Sequence, residues 1–122
     1  MSEVKTLSRL EQIEKKIAYI KQIVEEYGSV DKALGDEAKG RAAILMHLTA
    51  MAEQFDKLMR EGALEVLGFF EKEDIKGSYD LRNFIAHDYE GVDLYIVEDV
   101  ICERLPIIER SCEEAKAYLK RR

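Results

Sequence analysis

The chain has 122 residues, with 19 Lys and Arg against 25 Asp and Glu, for a net charge of −6. Seven glycines and one proline are too few turn formers for a β-sandwich, which needs a turn about every 8–12 residues. The acidic balance argues against a surface that broadly attracts nucleic acid or anionic membrane.

Leu7, Leu10, Ile13, Ile17, Ile20, Val24 and Tyr27 recur at steps of three and four. That spacing predicts one long helix with a single apolar stripe. Gly28 ends it, just past the helix where glycine is favoured. Ser29 caps a short helical turn through Leu34, and Gly35 stops it. Asp36 is the expected cap of a second long helix reaching about Arg60. Its stretch 42–52 is apolar almost all round, which marks it as the central helix. Gly62 closes it, a short helical piece spans 63–70, and a third helix is predicted from about 74 to 86. After Gly91, residues Leu94, Ile96, Val97, Val100, Ile101, Leu105, Ile108 and Leu119 continue a helical pattern to the end. Pro106 lies inside it without flanking glycine or loop residues, so one last helix kinked at Pro106 is expected. The sum is a single all-α domain over 1–122, an antiparallel bundle of four to five helices.

Cys102 and Cys112 are expected to be free buried thiols. Ten residues apart on one helix, their Cα atoms would be about 15 Å apart, beyond disulfide reach. No CxxC or Cys/His ligand spacing occurs, so neither a metal site nor a cofactor is expected. No apolar run has the length of a membrane span, and residues 1–10 lack a signal-peptide apolar segment. The expectation is a cytoplasmic protein with no membrane partner.

The chemically unusual segment is Arg82-Asn83-Phe84-Ile85-Ala86-His87-Asp88-Tyr89. On a helix at about 100° per residue, Leu81, Phe84 and Ile85 form an expected buried stripe. Arg82 and Tyr89 then share one flank, and Asp80, Asn83 and His87 the other. His87 is an exposed group able to trade protons near neutral pH, and Arg82 can clamp phosphate oxygens. They stand roughly 140° apart around the axis and about 7.5 Å along it. Either the helix ends near Ala86 and lets His87 swing back, or a twofold dimer brings two Arg/His pairs into one cleft. The dimer is favoured, because Gly91 ends the helix only beyond His87. Elsewhere, His47 reads as a buried or interface residue and Glu53 as a polar margin of the central helix. Met46, Met51 and Met59 read as core or interface filler, and Lys120-Arg121-Arg122 as a solvated helix end.

Arg82-x4-His87-x-Tyr89, within RNFIAHDY, resembles the signature of the HEPN superfamily in its HepT-like form. The resemblance covers nearly the whole chain: a long first helix, a central apolar helix, the motif and a proline-kinked last helix follow in the family's order. Many relatives carry a tryptophan upstream of the motif; this chain has none, and Tyr79 stands nearest. The resemblance implies a HEPN-like fold and a metal-independent endoribonuclease. It implies the toxin of a type VII-like toxin–antitoxin pair, a homodimer with the motif at the subunit cleft. Its substrate would be RNA, with tRNA the expected class. Position by position, His87 would be the acid/base, Arg82 the phosphate-stabilising cation and Asn83 an orienting residue. Tyr89 would be the residue that a partner nucleotidyltransferase antitoxin of the MntA type adenylylates. The competing expectation is a non-catalytic helical module binding nucleotide or a partner protein, against which the intact motif counts. A twofold cleft would gather two copies of Arg82 and His87, with Arg41 or Lys76 beside them, inside an acidic exterior.

Overall fold

Two glycines set the first corners of the chain. Gly28 (φ +87°) and Gly62 (φ +74°) take up the left-handed conformation that ends a helix, which costs glycine nothing. In the computed structural model, which describes residues 3–122, every regular element is helical. Helix α1 (Glu3–Tyr27) is followed by α2 (Val30–Gly35), a π turn (Glu37–Arg41), α3 (Ala42–Arg60) and α4 (Leu64–Leu67). Helix α5 (Lys72–His87) leads through a 3-10 turn (Tyr89–Gly91) to α6 (Leu94–Asp99), a π turn (Val100–Arg104) and α7 (Leu105–Arg121). The caps fall where the sequence places them: the Ser29 side chain accepts from the Lys32 amide and Asp36 from the Lys39 amide. Asp36 opens a π turn, however, rather than α3 itself.

The long helices form an antiparallel bundle in which α3 packs against α1 on one side and α5 on the other, and α7 packs on α1. The core is the predicted stripe of α1 (Leu10, Ile13, Ile17, Ile20) against Ile44, Leu48, Met51 and Phe55 of α3 and Ile108, Cys112 and Leu119 of α7. Phe55 and Phe70 meet edge to face at 5.0 Å between centroids, fastening the α4 segment over the core. Met46 is 63% exposed, so the central helix is apolar all round without being buried all round. Cys112 is buried as expected, whereas Cys102 is exposed. It falls in the π turn, outside the α7 stripe.

The run from α6 into α7 is unbroken, and the π turn Val100–Arg104 immediately precedes Pro106. A proline ring collides with the carbonyl one turn back and offers no amide to it. The widened turn sits where that conflict arises, so the distortion expected at Pro106 takes the form of a π turn. This turn also carries Arg104, whose Nε donates to buried Asp74 on α5 at 2.7 Å, with Glu71 and Glu73 at 3.3 and 3.4 Å. These carboxylates hold the guanidinium well above its usual range.

At the α1–α3 seam, the Tyr19 and His47 rings meet at 5.1 Å with a 46° tilt. Burial, aided by nearby Lys16, lowers the His47 pKa below its ordinary value of 6.5.

Two predictions concern stability. Arg104→Ala strands the Asp74 carboxylate in the bundle and costs roughly 2–3 kcal/mol, the low end for a broken buried pair because the guanidinium is partly solvated. Urea denaturation measures it, and Arg104→Ala/Asp74→Ala recovers part of the loss. For His47 the folded-state pKa is depressed, so below 6.5 the unfolded chain binds more protons than the folded one. Stability therefore falls on acidification through that window and rises again with pH. In His47→Phe the urea midpoint declines less between about pH 7 and pH 5; equal declines in both proteins contradict the assignment.

Candidate active site

Helix α5 begins with Glu73 and Asp74 in its first turn, where acidic side chains complement the amide dipoles. Its only fully buried residue is Asp74. With Asp74 tied to Arg104, the inward face of α5 is Asp74, Ser78 and Ile85, flanked by Leu81, Ile75, Tyr79 and Arg82, all half-buried. The expected stripe is therefore corrected. Leu81 and Ile85 do pack on the core, but Phe84 is 48% exposed, and Arg82 on the flank is half-buried. An ion pair, not the apolar count, sets the rotation of this helix.

Arg82 is accordingly half-buried. Its guanidinium carbon sits 5.2 Å from the Tyr79 ring centroid, a cation–π distance. Burial and the nearby Asp56 carboxylate push the Tyr79 phenol up, while Arg82 and Arg60 pull it down. Among the described residues no carboxylate pairs with Arg82, whereas Arg9, Arg60, Arg104 and Arg122 each have an acidic partner. The Tyr79 platform went unread in the sequence as part of the site. The signal for it is its position three residues before Arg82, one turn back on the same face.

His87 is the last residue of α5 and is exposed, as is Asn83. The helix does not end early at Ala86. His87 and Arg82 stay on one helical frame, about 140° apart, and one chain does not converge them. The chain turns away at Asp88 (φ −151°), whose amide still donates to the Phe84 carbonyl at 2.8 Å. The Asp88 carboxylate then accepts from the Gly91 amide at 3.1 Å, shaping the 3-10 turn that carries Tyr89, itself 38% exposed. A Cβ on residue 91 would come within 2.2 Å of the Asp88 carboxylate, so a side chain there would displace the carboxylate that accepts from the Gly91 amide.

Around Phe84 the surface is apolar. A groove of about 290 Å³ runs between α5 and α6, walled by Leu81, Phe84, Val92, Ile96 and Val100, with Asp80 and Asp93 at its rim. Ile96 is 55% and Tyr95 83% exposed.

The other cations proposed for a cleft have local partners. Lys76 pairs with Asp80 at 2.7 Å, and Arg41 Nε donates to the Leu34 carbonyl at 2.8 Å. Arg122 lies over Tyr118 and 3.9 Å from Glu3. Glu53 is exposed on α3, and His47 is half-buried against Tyr19. Among the described residues no three His, Cys, Asp or Glu side chains are grouped to hold a metal ion, and no helix is long and apolar enough to cross a membrane.

A family model described as Ribonuclease HepT-like matches residues 13–115, from the first long helix into the last. No curated protein and no solved structure matches the chain. The matched span takes in the whole of α5 with Arg82 and His87 and most of the bundle that holds it, and the chain belongs to the HepT-like ribonuclease family.

Proposed function

We propose that this protein is a metal-independent endoribonuclease toxin, silenced by a partner nucleotidyltransferase and active as a homodimer on RNA, with tRNA the expected class. The observation that carries the reading is Arg82: a half-buried guanidinium, stacked on Tyr79 and paired with no carboxylate among the described residues, on the helix that ends at exposed His87. Holding a cation partly desolvated and without a counterion is costly. A site that must receive a phosphate explains it.

RNA carries its own nucleophile. The neighbouring 2′-hydroxyl attacks the phosphorus, the 5′-oxygen leaves, and a 2′,3′-cyclic phosphate and a 5′-hydroxyl end result. The protein has to take one proton, give one proton and stabilise the charge on the phosphorane. His87 supplies the proton transfers, with two copies in a dimer dividing the base and acid roles. Arg82 supplies the charge, and Asn83, exposed one residue on, orients the sugar–phosphate through its amide. The exposed Phe84 and Ile96, which wall the groove between α5 and α6, support a second copy as the cover of this face, since burying them is favourable at about 25 cal/mol per Å². Tyr89 follows on the next turn, accessible to an enzyme that transfers an adenylyl group to its hydroxyl.

His87→Ala and Arg82→Ala are expected to lower RNA cleavage by at least about a hundredfold and to relieve growth inhibition, with unchanged far-UV circular dichroism. Either variant cutting at the parental rate removes its residue from the mechanism. Phe84→Glu places a charge in the proposed subunit contact. Sedimentation then reports a monomer, and cleavage falls with it; an intact dimer places the contact elsewhere.

A further inference from the structure

On the flank of α3 away from α5, Tyr19, His47 and Lys16 form a second cluster that the chemistry above does not use. Tyr19 is 37% exposed and its ring meets the half-buried His47 imidazole at 5.1 Å. The Lys16 ammonium lies 5.5 Å from the Tyr19 ring centroid and makes no ion pair among the described residues. The two rings open onto a surface groove of about 350 Å³ completed by Gln22, Ile23 and Glu26. Core tyrosines bury their rings and direct the hydroxyl outward; here an aromatic pair faces an open groove with a cation over one ring.

We infer that this groove is a stacking subsite for an unpaired RNA nucleotide, lying a few nucleotides from the scissile bond. Three features of the cluster fit that ligand. Exposed tyrosine and histidine rings are the side chains on which splayed-out bases stack. His47 is held in its neutral form by burial and by Lys16, so its ring offers an aromatic face and both a donor and an acceptor. Lys16 is a cation free to meet the phosphate on that nucleotide, while Gln22 and Glu26, joined at 3.4 Å, hold an amide and a carboxylate where a base edge would lie. Stacking also suits a protein of net charge −6, because it captures RNA without a broad basic surface.

The position along the bundle fits as well. Tyr79 of α5 senses Asp56 and Arg60 of α3, which places the middle of α5 beside the last turns of α3. With the two helices antiparallel, His87, about 12 Å further along α5, comes level with about Ala50, roughly one turn from His47. Neighbouring helix axes are about 8–10 Å apart, and the groove and His87 therefore flank α3 within about one turn of each other.

The inference rests on the RNA-cleaving reading, and its test separates the two. A fluorescent single-stranded RNA of about ten nucleotides is titrated by anisotropy, at one fixed salt concentration, against His87→Ala protein with and without Tyr19→Ala/His47→Ala. Loss of the pair is expected to weaken binding about tenfold or more. Tyr19→Phe/His47→Phe, which keeps both rings and loses only the imidazole and phenol hydrogen bonds, retains most of the affinity, so that the loss in the alanine pair is assigned to stacking. In the otherwise native protein the alanine pair raises KM and leaves kcat in place. Affinity unchanged by the alanine pair, or no RNA binding at all, overturns the subsite. Binding that depends on the pair in a protein that cuts no RNA overturns the ribonuclease reading and leaves the subsite standing.

Discussion

The ion pair between Asp74 and Arg104 decides which way helix α5 faces, and the arrangement of the site follows from it. A carboxylate in a low-dielectric seam needs a counter-charge, and Asp74 finds one on the π turn that the chain forms ahead of Pro106. With Asp74 held inward, Ser78 and Ile85 turn inward too, since side chains three, four and seven apart share a face. Arg82 then falls half-buried over Tyr79, and Phe84, His87 and Asn83 are exposed. An α5 rotated to bury Phe84 would swing Arg82 into water and Asp74 away from its partner. The apolar cost of exposing Phe84 is thus set against an ion pair, and the ion pair prevails.

That same competition marks the boundary of what the sequence reveals. Helix ends governed by local chemistry were legible: Gly28 and Gly62 in left-handed backbone, Ser29 and Asp36 as caps. So was the core of α1 and α3, because a stripe repeated over many turns averages away single exceptions. Arg82 and His87 were legible as a pair from their motif, but the rotation that half-buries Arg82 was not. It depends on a contact between residues 30 positions apart, and no periodicity within α5 contains Arg104. The π turns were hidden for a related reason. They are registers forced by a proline and by close packing, such as that of Gly40, where a Cβ would stand 2.3 Å from the Ala33 carbonyl oxygen. The stacking of Tyr19 on His47 likewise joins two helices and leaves no trace in either alone.

The net charge of −6 gains meaning from where its cations are spent. Three arginines are committed to carboxylates that tie separate elements together: Arg9 to Glu61, Arg104 to Asp74, Arg122 to Glu3. Such pairs contribute little to any field that steers a polyanion. Arg82 and Lys16 each lie against an aromatic ring and, among the described residues, pair with no acid. A ring holds a cation in place without neutralising it. Local availability of charge, and not its sum, is therefore the quantity that bears on an anionic substrate.

In the proposed scheme the same uncompensated cation explains how one modification silences the enzyme. Tyr89 leaves the helix two residues after His87, on a turn made rigid by the Asp88–Gly91 hydrogen bond. An adenylyl group on its hydroxyl brings a phosphodiester that cannot diffuse away. Its effective concentration near the end of α5 is of the order of millimolar for a short tether, well above that of any free RNA phosphate. Where the geometry lets it reach Arg82, the tethered anion outcompetes the substrate for a cation that no side chain neutralises. An Arg82 already paired to a carboxylate would gain much less from the added phosphate. In that scheme, the feature that would equip the helix to receive RNA is the one that would open it to inhibition from its own next turn.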